Sequence, residues 1–324
     1  MLKSVGYSFR GGRMSFSKPP RTYPEQLSIL ESRGLVIDNR DFALHCLEHH
    51  NYYRISAYRF TLSAPANPDE FLPGTTFSDL WGLYCFDRQL RLLVMEALKR
   101  LEISVRSHWA YVLGHTHGSQ AYESQTVFRN AYRHANALGK LDEELGRSRE
   151  AFVNHFQSQY QMTRPPIWAA CEVMSFGLLS RFYENMAHDK DRKAIAQVFN
   201  LSPANLESLL KHASYVRNLC AHHSRLWNRR LTLTIQLPKH HPEDVVGSLH
   251  PPKNRQIYNT LVLLTNIVDI VEPEYHWTHR LLALIRAQRV PVIEHMGFPE
   301  DWETRPVWMK HAHAFRVAAK GTPL

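Results

Sequence analysis

The sequence predicts an all-α fold, a helical bundle with a long central helix and extra helices towards both ends. Three observations predict it. Apolar residues recur at helical spacing through most of the chain, helix-starting signals such as Ser202-Pro203 precede the periodic runs, and only one short segment alternates like a strand. No repeat at a fixed period is visible. The expected organisation is a basic, mobile arm over residues 1–22, a single helical domain over 23–290 and a C-terminal extension over 291–324.

The arm carries Lys3, Arg10, Arg13, Lys18 and Arg21 among Gly, Ser and Pro. From Pro24 a short helix is expected through Leu27, Leu30 and Leu35. A second runs through Phe42, Leu44 and Leu47 towards Asn51-Tyr52-Tyr53-Arg54. A loop with Pro65, Pro68, Pro73 and Gly74 closes this part. From about Phe77 to Gly114, Leu83, Phe86, Leu90, Leu93, Val94, Ala97, Leu101, Val105 and Val112 keep to one face, which marks the central core helix. The polar stretch Gly118 to Gln161 contains a further helix, and Pro165-Pro166 introduces a helix over Ile167 to Met186 that runs through Gly177. Ser202 as N-cap and Pro203 as first helical residue start another, expected to reach about Trp227. Two more are expected at 253–272 and 274–290. Leu231 to Leu237, LTLTIQL, reads as a strand or as merely extended chain.

The composition, 44% hydrophobic and 21% charged, is that of a folding globular chain. A formal charge of +9, from 39 Lys and Arg against 30 acidic residues, favours a polyanionic partner, nucleic acid first and an anionic membrane surface second. Cys46, Cys85, Cys171 and Cys220 stand apart with no CxxC pair, which points to free thiols in a reducing compartment and against a disulfide framework or structural zinc. The N-terminal residues lack the apolar core of a signal peptide. The longest apolar stretch, Leu261 to Val271, is too short for a bilayer and contains Asn266 and Asp269. A cytoplasmic location without membrane contact is the expectation.

The chemistry concentrates in Tyr215-Val216-Arg217-Asn218-Leu219-Cys220-Ala221-His222-His223. At roughly 100° per residue, Leu206, Leu209, Leu210, Ala213, Val216 and Cys220 form one stripe, while Asn218 and His222, a turn apart, point away from it. Arg217 lies at the edge of the stripe, where its long side chain can swing towards His222. An imidazole beside a fixed cation and a polar amide is what RNA phosphodiester cleavage requires. Imidazoles titrate near neutrality, so His222 can take the 2′-hydroxyl proton or give one to the leaving 5′-oxygen. Arg217 would stabilise the charge on the phosphorus-centred transition state, and Asn218 would orient His222 or the phosphate. The ribose then supplies the nucleophile, no metal or other cofactor is needed, and the products are a 2′,3′-cyclic phosphate and a 5′-hydroxyl.

Several ordered blocks add to this segment: Gly34-Leu35; Asn51-Tyr52-Tyr53-Arg54 with Tyr58; Phe86-Asp87-Arg88-Gln89-Leu90-Arg91; Leu101-Glu102-Ile103 with Arg106; Pro166-Ile167-Trp168 with Glu172; Ser175-Phe176-Gly177; and Arg217-Asn218 through His222-His223 to Arg225-Leu226-Trp227-Asn228. In these, from about Lys18 to at least Asn228, the chain resembles the bacterial abortive-infection AbiD/AbiF-like family of the HEPN superfamily. The resemblance implies a HEPN-type helical domain whose Arg-x4-His motif, Arg217 and His222 with Asn218, is a ribonuclease centre. It also implies a homodimer in which two motif copies complete one site, and control by an antitoxin that is a small RNA or a protein.

Around that centre, Asp87 falls inside the apolar stripe of the central helix and needs a cation such as Arg91 or Arg217. Glu102 and Arg106, one turn apart, read as a surface pair by spacing and, by the resemblance, as residues that help hold Arg217. His223 is grouped with them as a supporting residue. Arg225, Tyr52, Tyr53 and Arg54 are candidates for RNA contact, the tyrosines by base stacking, although aromatics beside a helix end are commonly core. The doublets His49-His50, His222-His223 and His240-His241 match no HExxH or other known ligand spacing, and no metal site is expected. Glycine-rich phosphate loops and GxSxG elbows are absent. Two other function classes compete: a non-catalytic RNA-binding or sensor protein, and a nucleotidyl- or AMP-modified partner in a transferase toxin system.

Overall fold

The computed structural model describes residues 19–311, so most of the expected basic arm and the end of the expected C-terminal extension lie outside the described residues. The chain is all-α apart from one two-stranded sheet among the described residues. It divides into two compact units with the boundary between Tyr84 and Cys85.

In the first unit, α1 (Tyr23–Ser32) begins with a reciprocal cap: the Thr22 hydroxyl accepts from Glu25 N–H, and Thr22 N–H donates to the Glu25 carboxylate at 2.7 Å. Helix α2 (Arg40–His49) is capped by Asn39, whose side chain accepts from Phe42 N–H at 3.0 Å. Leu27 and Leu30 of α1 and Ala43, Cys46 and Leu47 of α2 form the shared core. The short α3 (Tyr52–Ser56) is capped by Asn51, and the proline-rich loop after it folds into the antiparallel pair β1 (Ser63–Ala64) and β2 (Asn67–Phe71).

Helix α4 (Phe77–His117) starts in the first unit, where Thr76 and Asp79 cap it reciprocally, and continues into the second. Leu83, Phe86, Leu90, Leu93, Val94, Ala97, Leu101 and Val105 keep the buried face expected of it, Val112 is only half-buried, and Trp109 and Leu113, which were not expected, complete the face. The second unit continues with α5 (Ala131–Arg147), α6 (Ala151–Tyr160), α7 (Ile167–Val173), α8 (Phe176–Asn185), α9 (Asp189–Gln197) and α10 (Pro203–Ala221). After these come α11 (Glu243–Ser248), α12 (Tyr258–Val271) and α13 (Trp277–Arg286). Helix α8 packs on α5 and α10, and α9 also packs on α10. Helix α12 is buried almost all round, from Tyr258 to Val268, which makes it the most enclosed helix described. Its length and polar breaks fit an internal helix: among the described residues none is long and apolar enough to cross a membrane.

The single helix expected over Ile167 to Met186 is two, because the chain breaks at Met174 and Ser175 and restarts at Phe176. Of the two readings left open for Leu231 to Leu237, strand or merely extended chain, no strand forms. The segment runs extended along the flank of α10, with Gln236 N–H donating to the Ser208 hydroxyl at 2.7 Å and Asn205 donating to Gln236 O at 2.8 Å. Among the described residues, 291–311 belong to the second unit, where Phe298, Trp302 and Trp308 cluster around Tyr258.

Candidate functional site

Helix α10 is set up locally as expected: Ser202 accepts from Asn205 N–H at 3.1 Å, Pro203 follows, and Leu206, Leu209, Leu210, Ala213, Val216 and Cys220 form the buried stripe. The helix does not reach Trp227. It ends at Ala221, with His222 as C-cap and His223 in the left-handed region at φ 54°. His223 N–H donates to Cys220 O at 3.0 Å and Ser224 N–H to Leu219 O at 2.9 Å, the paired bonds of a Schellman ending. Glycine usually fills the left-handed position; a histidine there holds the turn against steric cost. His222 N–H still donates to Asn218 O at 3.0 Å, so the imidazole leaves the chain at the last helical register.

The chain after the turn is anchored by Asp87. This carboxylate is fully buried on α4, accepts from Leu226 N–H at 3.0 Å and Trp227 N–H at 2.6 Å, and pairs with Arg91 one turn along its own helix. Arg91 is one of the two cations expected for it. Trp227 is itself buried and donates its indole N–H to Val292 O at 3.0 Å. Residues 222–227 thus hang between a helix cap and a buried carboxylate. Beside them the Cys220 thiol, pushed up to about 12 by burial, is no nucleophile at neutral pH. Cys46 and Cys171 are likewise buried and form no disulfide, whereas Cys85 is half-buried.

Asn218, His222 and His223 are exposed, and Arg217 and Arg225 are half-buried. The Arg217 guanidinium lies 3.5 Å from the Asn218 side-chain oxygen. It also acts on Glu102: burial lifts that carboxyl above its ordinary value, and Arg106 and Arg217 pull it part of the way back. Glu102 and Arg106 are not a surface pair. Arg106 is 11% exposed, binds Glu102 at 2.8 Å, and donates to Glu172 O and Met174 O, both at 2.9 Å. It therefore stitches α4 to the break between α7 and α8. At the start of α8, a Cβ on Gly177 would sit 3.2 Å from the Ser214 hydroxyl, so glycine permits α8 to lie against α10 one turn before Arg217.

Lys211 and Ser214 precede Asn218 on one face of α10. With Arg133, Arg181, Gly177 and Ser180 they line a cleft of ≈ 440 Å³ in which three cations outnumber the carboxylate of Glu184. The sequence reading missed these cations. The helical phase of Lys211 was available to it, whereas Arg133 and Arg181 arrive only through the packing of α5 and α8.

Tyr52, Tyr53 and Arg54 belong to the first unit, and Arg217 belongs to the second. The Tyr52 hydroxyl accepts from Arg33 at 3.1 Å, Tyr53 is 76% exposed with its ring edge-on to Tyr52, and Arg54 is exposed. Both tyrosines line a cleft of ≈ 990 Å³. Among the described residues one group has donors suited to a metal: His45, Glu48 and His49 on α2, whose potential ligand atoms all lie within 4.8 Å of one another. The His-x-x-Glu-His spacing signals it, although His45 belongs to no histidine doublet.

A family model described as Abi-like protein matches residues 45–228. The matched span starts at His45 on α2 and ends at the residue after the buried Trp227. No curated protein matches the chain, and no solved structure matches it.

Proposed function

The chain belongs to the Abi-like protein family, a family tied to abortive infection and phage defence, and on that premise we propose that it is a metal-independent endoribonuclease of the HEPN type. The observation that carries the reading is the exposed Asn218 against the half-buried Arg217 guanidinium, with the exposed His222 one turn after Asn218, on a helix end fixed by a Schellman turn and by Asp87.

His222 acts on the proton of the ribose 2′-hydroxyl, and the freed oxygen attacks the adjacent phosphorus. As the bond to the 5′-oxygen breaks, a proton must reach that leaving group. One imidazole cannot be base and acid in the same step, so the second comes from the motif of another copy, and the working form is a homodimer. Arg217 stabilises the extra charge on the phosphoryl oxygens, and Asn218 orients the imidazole or the phosphate. The cations Lys211, Arg181 and Arg133, on the Asn218 flank of α10, hold neighbouring phosphates of the strand. Glu102 and Arg106 position Arg217, His223 holds the turn, and Arg225 reaches RNA next to it. Activity of this kind needs restraint, and the controlling partner is a small RNA or a protein antitoxin.

The test is cleavage of labelled RNA by purified protein in EDTA, with identification of the product ends. Cyclic phosphate and 5′-hydroxyl ends on RNA, with DNA intact, are expected; a strict magnesium requirement overturns the reading. His222→Ala should lower the rate by about 10²–10⁴-fold and leave the melting temperature and RNA affinity in place. A second reading is favoured by the cationic cleft alone: a non-catalytic RNA-binding or sensor protein. It predicts RNA binding with no cleavage in either form.

A further inference from the structure

The first unit presents a cluster that plays no part in the ribonuclease reading. Ala43, Cys46 and Leu47 commit one face of α2 to the core, which turns His45, Glu48 and His49 outward, where all three are exposed. The two histidines are one helical turn apart, with ring centroids 4.6 Å from each other, and Glu48 lies between them in sequence and beside them in space. We propose that these three side chains form a binding site for a divalent transition ion, with Zn²⁺ as the fitting metal.

The donor set supports this assignment. Two imidazoles and one carboxylate are ligands for a borderline ion that imposes no d-electron geometry; hard ions such as Mg²⁺ and Ca²⁺ favour oxygen donors throughout. Around zinc, donors about 2.0–2.1 Å from the metal sit roughly 3.3 Å from one another. The observed donor atoms lie within 4.8 Å. Closing that difference takes rotation about exposed side-chain bonds, with no shift of a backbone that Asn39 and the α1–α2 core already hold. Three protein donors leave a fourth position of the tetrahedron open. Glu48 and His49 also line the ≈ 990 Å³ cleft with Tyr52 and Tyr53, so that position can accept water or an oxygen of a molecule lying in the cleft.

Calorimetric titration of the chelator-stripped full chain with Zn²⁺ tests the site, with Co²⁺ as a visible-absorption probe of tetrahedral imidazole coordination. One Zn²⁺ event per chain is expected, and His45→Ala and His49→Ala should each weaken it by about tenfold or more, because even a hydrogen-bonding partner of a metal ligand is worth about tenfold. Glu48→Gln should weaken it less. Because these side chains are exposed, the variants should keep the circular dichroism and melting temperature of the parent, which separates lost binding from lost folding. Absence of a Zn²⁺ event in the parent overturns the proposal. So does a Zn²⁺ event of unchanged affinity in the doubly substituted protein, which would place the ion among the chain's other histidines.

Discussion

The outer face of α2 and the C-terminal end of α10 carry the two most reactive-looking groups of side chains, and they are held in place by opposite means. On α2 one helix suffices: His45, Glu48 and His49 converge because residues three and four apart share a face. At the end of α10 the Schellman bonds are local, but the supports around them are not. The turn that presents His222 is held by Asp87 across a separation of 139 residues, and the cation that holds the α7–α8 break reaches it across 66. A site on one helix tolerates change in the rest of the protein. A site suspended between distant segments fails with any of its supports.

The largest expected effect falls on those supports. Asp87→Ala leaves Arg91 buried without its partner carboxylate and strips two backbone N–H groups of their acceptor, and should cost about 3–5 kcal/mol. Urea denaturation should show it, and RNA cleavage should fall with it although Asp87 touches no substrate. An Asp87→Ala protein of parental stability would break the contrast with α2.

Acid should reveal a second distant support. His212 of α10 is buried with one ring nitrogen 2.7 Å from Leu233 O and the other 2.9 Å from the Thr260 hydroxyl. Burial lowers it from 6.5 to about 4, partly opposed by the bond to Leu233 O. The unfolded chain therefore takes up this proton first. The stability that neutral His212 contributes is complete above about pH 6.5 and is lost as the pH falls towards 4, about 3 kcal/mol in all. Denaturant midpoints measured across that window should fall in the parent and flatten in His212→Gln.

At the turn itself, His223→Gly relieves a left-handed residue and should raise stability by about 0.5–1 kcal/mol. If glycine also lowers cleavage, the histidine is retained for function at a cost in stability. The smallest effect belongs to α2: in metal-free protein, His45→Ala or His49→Ala should change stability by less than about 0.5 kcal/mol. A larger loss would mean that α2 depends on its outer face, and the contrast would narrow.

Legibility in the sequence follows the same division. The helical class, the starts of α4 and α10 and the buried stripe of α10 were all readable, because caps and a 3.6-residue period are written in consecutive residues. The end of α10 was not readable: nothing between Ala221 and Trp227 is glycine or proline, and the stop is imposed by a histidine in a glycine position. The break before Ser175 was hidden in the same way, since the carbonyls freed there are taken up by Arg106 from another helix. Asp87 was recognisable as a buried carboxylate in need of a cation, and Arg91 could be named from its spacing. That it also grips Leu226 and Trp227 could not.

Residue order thus settles what each helix is and which side of it turns inward, since backbone bonds and a repeating apolar face act over a few residues. It also sets the charge and the residue types available for chemistry. Which of those residues meet is decided by folding, because a buried carboxylate, a half-buried guanidinium or a missing Cβ matters only through what packs against it. Arg217 and His222 can be named from sequence, but the cap, clamp and cationic cleft around them exist only once α4, α5, α8 and α10 have come together.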